Sequence, residues 1–406
     1  MSQTATSYPK TSTALQVSLW IVRIIVGCLF IFSGLVKAND PQGLANKMDE
    51  FFEVWQMHIS HDTSLVLSVL MIGFEIIAGV AVLLGVAFRT FSFLLLLLTL
   101  FFTFLTAYVF YYDVILHAPK IKDCGCFGDC IKISNSETFY KDIVLTLLVL
   151  VLVVFRKHVR PLLSKYPSTA LMVLSVFFAF GIQWWVLEHL PFYDCMPYKK
   201  GVNLWEARQP KTGPGIYPTE YQTVMQYKNK KTGDLVDVPA DKLGDYEYVW
   251  SDDATYEYVD RTDKLVRQGN DEPAIKDFFL TDYEGNDYTE SVLKQPGYSF
   301  LLFVQNPGKA RQDNMNDLRE LFAAAQQNGM PAYVLTSGTR EATEQWKAKT
   351  RLPGAEYLIL DGVASKTAMR TNPGLMVLKD GVVVGKWSFR DYEDVKIVNG
   401  NVQIDD

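Results

Sequence analysis

The chain has 406 residues, 49% of them hydrophobic, and a net charge of −6, a length that allows two or three domains. It contains no long basic run, which argues against a nucleic-acid-binding protein. Five cysteines are too few for a disulfide scaffold, so their clustering carries the information. Apolar residues concentrate before about Leu190 and most of the charge follows. That split predicts a membrane half followed by a soluble half.

Five segments meet the requirement of roughly 17–25 mainly apolar residues for a membrane span. The first, Leu15–Val36, is followed by "KANDP" without a small-residue cleavage pattern, so it reads as an uncleaved anchor. Next, Leu44, Met48, Phe51, Phe52 and Trp55 recur at helical spacing after the turn Pro41-Gln42-Gly43. They predict an amphipathic helix on the outer membrane surface. The second span is Leu65–Val86 and the third Phe91–Tyr111, whose "FSFLLLLLTLFFTFL" has no polar face. The fourth, Phe139–Phe155, is short and opens with Tyr140, Lys141 and Asp142; the fifth is Ala170–Leu190.

Arg156, Lys157, Arg160 and Lys165 crowd the link between spans four and five, and Arg89 lies between spans two and three. By the excess of Lys and Arg in cytoplasmic loops, both links and the N-terminus face the cytoplasm. The C-terminal half then faces the periplasm of a bacterium, with the chain in the inner membrane. Lys120, Lys122 and Lys132 in the outer loop run against this assignment but are less dense.

Two charges fall inside spans, Arg23 and Glu75. Counted from the cytoplasmic ends they lie roughly 12 and 18 Å deep at 1.5 Å per residue, and each is costly unpaired. An Arg23–Glu75 ion pair is the expectation.

Three cysteines fall in "KDCGCFGDC", Lys122–Cys130. Cys28 lies in the first span and reads as a buried, inert thiol. Cys124, Cys126, Cys130 and Cys195 all fall on the outer side, where disulfides persist. Four cysteines allow three connectivities, and the spacing does not choose among them. A Cys124–Cys126 ring would be small and strained, hence easily reduced. The other readings are a braced turn, or a zinc site with His117 or Asp123 as fourth ligand. The zinc reading is the weaker, and no metal is expected.

"RIIVGCLFIFSGLVKANDPQG", "FEIIAGVAVLLG" and "KDCGCFGD" together resemble the DoxX and methylamine-utilisation MauE-like group of redox-associated bacterial membrane proteins. More narrowly, the chain resembles a subgroup with five spans and a periplasmic thioredoxin-like tail. Members of the wider group are linked to thiosulfate:quinone oxidation and to disulfide maturation of a periplasmic dehydrogenase. The shared pattern is "CGCFGD", with a small residue usual where Cys130 stands and no counterpart of Cys195. The resemblance thus implies a Cys130–Cys195 structural disulfide and leaves Cys124 and Cys126 for each other as catalytic cysteines.

In the soluble half, "YQTVMQYKNKKTGDLVDV" reads as a hairpin turning at Asn229–Gly233, and "ATYEYVDR" as a further strand. From Glu272 the order strand, turn, helix, strand, helix, strand, hairpin looks like a thioredoxin fold of the peroxiredoxin or TlpA type. "FFLTDYEGNDYT" is expected as strand–turn–strand, the last hairpin turns at Asp380-Gly381, and Pro373 is the candidate cis-proline. Where that fold carries Cys-x-x-Cys the chain reads "QNPGKARQDN", and no cysteine follows Cys195. Without a thiolate this domain cannot exchange disulfides. Asn306, Pro307, Gly308 and Pro373 are left as a candidate docking groove.

The expected architecture is an α-helical DoxX-like membrane bundle with five transmembrane helices (residues 1–193). A β-rich connecting region (194–271) and a thioredoxin-like α/β domain lacking the CxxC (272–406) follow. The expected function is thiol–disulfide exchange at Cys124 and Cys126 with a periplasmic thiol partner. A quinone in the bundle is the one candidate cofactor and electron acceptor. The alternative is a non-enzymatic envelope scaffold with structural disulfides and partners among envelope subunits. The lipid bilayer is a partner in either case.

Overall fold

The computed structural model describes residues 12–116, 121, 125, 128, 130–131, 133–267 and 269–405. Among the described residues, six α-helices build the N-terminal part. Ser12 caps α1 (Thr13–Ala38). Asp40 and a proline in the first turn start α2 (Pro41–Val54), both favoured at helix N-termini. The predicted amphipathic helix is present, but Pro41, Gln42 and Gly43, expected as a turn ahead of it, form its first helical turn, because the Asp40 side chain caps Gly43 N–H. Ser60 caps α3 (His61–Leu84), which ends at left-handed Gly85. α4 (Phe88–Phe110) continues into a π-turn through Ile115. A reciprocal Ser134/Glu137 capping box opens α5 (Asn135–Val154), and α6 spans Lys165–Glu188.

Among the described residues, four helices are long and apolar enough to cross a membrane: α1, α3, α4 with its π-turn, and α6. The segment expected as the fourth span is the 20-residue α5. Glu137, Lys141 and Asp142 in its first turns keep it out of that strongly apolar set. α5 nonetheless leads from one end of the bundle to the other. At its start Asn135 Nδ2 donates to Asp113 Oδ2, 2.6 Å away, beside the end of α4. Beyond its end, Leu162 N–H bonds Leu84 O at the finish of α3, at 2.9 Å.

α1 and α3 pack antiparallel through small residues, which let membrane helices approach closely. A Cβ placed on Gly79 would lie 2.9 Å from Gly27 O and 3.0 Å from Ile31 N. Backbone atoms cannot step aside as a side chain can. Gly79→Ala is therefore expected to push the helices apart and cost about 1–3 kcal/mol, the usual penalty of overpacking. Gly181→Ala in α6, where a Cβ meets nothing within 4 Å, should change little. Detergent-unfolding midpoints of the two full-length variants make the comparison.

After α6 the short helix α7 (Leu204–Ala207) leads to β1 (Glu220–Asn229), β2 (Leu235–Pro239), α8 (Glu247–Trp250) and β3 (Tyr256–Arg267). These strands form a sheet in the order β2-β1-β3, so the predicted hairpin and third strand are present. Tyr198 and Leu204 are instead buried in the core of the last domain; the β-rich unit proper starts at Glu220.

The last domain runs β4 (Leu280–Thr281), α9 (Thr289–Leu293), β5 (Tyr298–Val304), α10 (Met315–Gln327), β6 (Ala332–Thr336) and α11 (Arg340–Thr350). β7 (Ala355–Leu360), α12 (Gly362–Ala368), β8 (Gly374–Lys379), β9 (Val382–Ser388), β10 (Val395–Val398) and β11 (Asn401–Ile404) complete it. The main sheet has the order β4-β7-β6-β5-β8-β9. β5, β6 and β7 are parallel, and β8 and β9 antiparallel. With a helix between β5 and β6 and a cis Asn372-Pro373 bond before β8, this is a thioredoxin-like arrangement. β5 is covered on both faces. Leu301 and Phe303 enter one core, Phe300, Leu302 and Val304 the other, as alternation along a central strand requires.

Two details differ from the sequence reading. The strand–turn–strand over "FFLTDYEGNDYT" is only β4 and a single Thr281–Asp287 bridge, because Thr289 onward coils into α9. The C-terminal hairpin β10–β11 has no counterpart in that reading, although Asn399-Gly400, both at positive φ, is a strong hairpin-turn signal.

Candidate functional site

Cys124 and Cys126, and the alternative zinc ligands His117 and Asp123, lie outside the described residues. Gly125, between the two cysteines, is described. Its φ is +64°, a left-handed value that glycine adopts without strain. Gly128 N–H donates to Gly125 O at 3.0 Å. A Cβ on Gly125 would lie 2.9 Å from Cγ of Lys47 on α2, so Gly125 is seated against that helix. Gly125 also lines a cleft of about 60 Å³ with Lys37, Phe51, Trp55, Phe101 and Phe102. The walls come from α1, α2, α3 and α4 and are mostly apolar and aromatic.

Cys130 and Cys195 are joined by a disulfide with Cα atoms 4.8 Å apart, inside the range such bonds require. It ties the loop after α4 to the segment after α6. Cys28 departs from expectation. It is a free thiol on the exposed side of α1, because the buried stripe of that helix passes through Arg23, Val26, Gly27 and Phe30 instead.

The expected Arg23–Glu75 pair does not form. Glu75 pairs with Lys37: Nζ lies 2.6 Å from Oε1 and 2.8 Å from Oε2, with both side chains at most 2% exposed. Ser33 Oγ donates to the same carboxylate at 3.1 Å, and Lys37 Nζ lies 4.8 Å from the centre of the Phe102 ring. Arg23 instead donates to carbonyls at the end of α3, Val82 O at 2.6 Å and Leu83 O at 2.5 Å, and to Arg160 O at 2.9 Å. A guanidinium there satisfies carbonyls that a helix C-terminus leaves orphaned and meets the negative end of the helix dipole. Helix register gives the reason. A Cβ on Gly34 would meet Ile76, placing Gly34 level with Glu75. Arg23, eleven residues earlier, is roughly 16 Å away along the axis at 1.5 Å per residue. Lys37 is not evident as the partner in sequence because the apolar run ends at Val36, one residue short of it; α1 runs on to Ala38.

The thioredoxin-like domain docks on the end of the bundle formed by Asp40, Asp62 and Glu188 through opposed charges. Arg370 Nε meets Asp40 Oδ2 at 2.8 Å, and Lys309 Nζ meets Asp62 Oδ2 at 2.6 Å. Arg390 Nη2 meets Glu188 Oε2 at 2.6 Å. Lys386 pairs with Asp194, and His189 Nδ1 lies 2.6 Å from Asp391 Oδ1. Burial pulls the Lys386 ammonium below its ordinary pKa, against the opposing pull of Asp194. None of these pairs was visible in sequence, since their partners lie far apart along the chain.

The structure brings Asn306, Pro307, Gly308 and Pro373 together. Asn306 Oδ1 accepts from Gly308 N at 3.0 Å, and Asn372 Nδ2 donates to Asn306 O at 2.9 Å. Pro307 and Pro373 are buried, while Asn306 and Gly308 are exposed. Arg311 N–H occupies Asn372 O at 3.0 Å, a carbonyl that an added strand would otherwise use. This edge faces the bundle, with Lys309 on Asp62 and Arg311 3.6 Å from Glu188.

An apolar helical bundle capped by a thioredoxin-like domain defines a multi-pass membrane protein with a thioredoxin-like domain. Residues 15–155, about a third of the chain, match the family described as methylamine utilisation protein MauE, so this part is MauE-like. None of the curated proteins matches the chain. A structural neighbour is a secreted Mycobacterium tuberculosis disulfide oxidoreductase described as homologous to E. coli DsbE. It is 16% identical, with 26% of this chain and 78% of that chain covered and a TM-score of 0.21. The thioredoxin-like assignment therefore rests on the strand order above.

Proposed function

We propose that this is a five-span, redox-associated protein of the DoxX and MauE-like group in a bacterial inner membrane. The N-terminus is cytoplasmic and the C-terminal half periplasmic. Support for the fifth span comes from chain tracing. α4 finishes beside the start of α5, and the link after α5 returns to the end of α3. A 20-residue helix rises about 30 Å, the thickness of a bilayer core. Arg89, Arg156, Lys157, Arg160 and Lys165 lie at the end away from the thioredoxin-like domain, which supports the orientation.

In this reading Cys124 and Cys126 exchange electrons with a periplasmic thiol partner. The partner's dithiol becomes a disulfide as the Cys124–Cys126 disulfide becomes a dithiol. Returning the pair to the disulfide passes two electrons and two protons to a quinone, giving the quinol. The observation that carries the reading is Gly125, seated on α2 at an aromatic cleft of the membrane part. A cavity of about 60 Å³ takes a quinone ring only if its aromatic side chains move aside. The thioredoxin-like domain is a non-catalytic docking element that offers Asn306 and Gly308 at its rim, with Pro307 and Pro373 beneath.

The scaffold reading has its own support. The soluble domain carries no cysteine after Cys195 and is clamped to the bundle by several ion pairs. Thiol trapping in intact cells with Cys124→Ser and Cys126→Ser separates the two. Redox exchange predicts that at least one variant captures a partner as a mixed disulfide and that both lose activity. A scaffold predicts no trapped partner and full retention of the associated complex.

A further inference from the structure

The β-rich unit contains an unusual edge. β3 is an outer strand of its sheet, and eleven of its twelve residues are exposed. Tyr258, Val259, Leu265 and Val266 are each about half exposed, at 54%, 49%, 53% and 62%. Long exposed edges invite pairing unless proline, charges, bulges or a cover blunt them. β3 has no proline, its two register shifts lie outside Asp260–Leu265, and the charges of that stretch are complementary to their own copy.

From the geometry we infer that β3 is a self-pairing edge, joining two copies of this chain as an antiparallel strand pair centred on Thr262. In the register that sets Thr262 opposite its own copy, Arg261 faces Asp263 and Asp260 faces Lys264. Each of these pairs occurs twice by symmetry. The regular stretch ends at the register shifts beside Val259 and Val266, so the selective pairs are these central ones. Each of them joins opposite charges, a pairing that stabilises antiparallel strands. Sliding the register by two residues sets Arg261 opposite Arg261 in one direction and Asp263 opposite Asp263 in the other. Like charges directly opposite are destabilising, so one register is selected.

The backbone is suited to this. Against β1 the stretch Asp260–Leu265 is regular, and the register shifts fall beside it at Val259 and Val266. The charged centre is thus a straight strand and the apolar residues flank it. Lys264 already has an exposed partner within the chain, Asp237. It gains a second carboxylate in the pair. The contact is isologous, as a two-fold requires.

The test uses full-length protein in proteoliposomes, in a Cys28→Ser background to remove the exposed thiol on α1. Thiols at residues directly opposite on antiparallel strands have Cβ atoms about 4.5–5.5 Å apart. Thr262→Cys should therefore give an oxidant-induced, reductant-sensitive dimer. Leu235→Cys, exposed on the opposite edge of the sheet, should not. Arg261→Asp should weaken dimerisation about tenfold, since it turns two attractive cross-strand pairs repulsive, and adding Asp263→Arg should restore it. A monomeric Thr262→Cys, equal cross-linking through Leu235→Cys, or no rescue by the charge swap would overturn the inference. So would cross-linking of Thr262→Cys in cells to a different protein alone, which would make β3 a docking strand for another partner.

Discussion

Glu75→Gln is expected to destabilise the helical part by about 3–5 kcal/mol, the range for removing one member of a buried ion pair. Lys37 would keep its charge in a site that is 2% exposed, facing Ser33, the introduced side-chain amide and the Phe102 ring among the described residues. Lys37→Met should cost a similar amount for the mirror reason. The double variant Lys37→Met/Glu75→Leu should recover most of the loss, because no charge is then left to desolvate. A double-mutant cycle in detergent unfolding reads the coupling directly. The same cycle between Arg23 and Glu75 should give a coupling near zero, since the two share no partner. A large Arg23–Glu75 coupling would contradict the helix register described above.

Cys195→Ser, or Cys130→Ser, is expected to cost about 2–4 kcal/mol, the usual contribution of a native disulfide. The bond closes a loop of 65 residues, but α5 and α6 already hold much of that loop in place. The loss should therefore fall below the value for a free chain. It should also be local. Hydrogen exchange should rise around Ile131 and around Tyr193–Met196, while the β5–β8 core stays protected. If reduction of the wild-type protein leaves both exchange and unfolding unchanged, the bond contributes little to stability.

Much of this architecture was legible because its signals are local. Runs such as "FSFLLLLLTLFFTFL" can only be buried in protein or lipid. The turn at Asp380-Gly381 follows from residues that accept positive φ, and both have it, at +52° and +78°. Pro373, read as the cis-proline before the last hairpin, is cis. The loss of Cys-x-x-Cys from the soluble domain is a plain fact of composition. Where sequence and structure part, the cause is a relation between elements. "EGNDYT" has strand-like turn chemistry, yet Thr289 begins α9 and its hydroxyl accepts from Leu280 N at 2.8 Å.

The amino-acid sequence by itself determined which segments are apolar enough for a membrane, that a thioredoxin-like domain follows, and that this domain has no cysteine after Cys195. Hydropathy, turn chemistry and residue identity are properties of short windows and survive without neighbours. Only the tertiary structure decided that Glu75 takes Lys37, that Arg23 caps α3, that Gly125 rests on α2, and that the soluble domain is clasped to Asp40, Asp62 and Glu188. Those choices depend on helix register and on side chains reaching across hundreds of residues, where an offset of three turns decides which charge finds which partner.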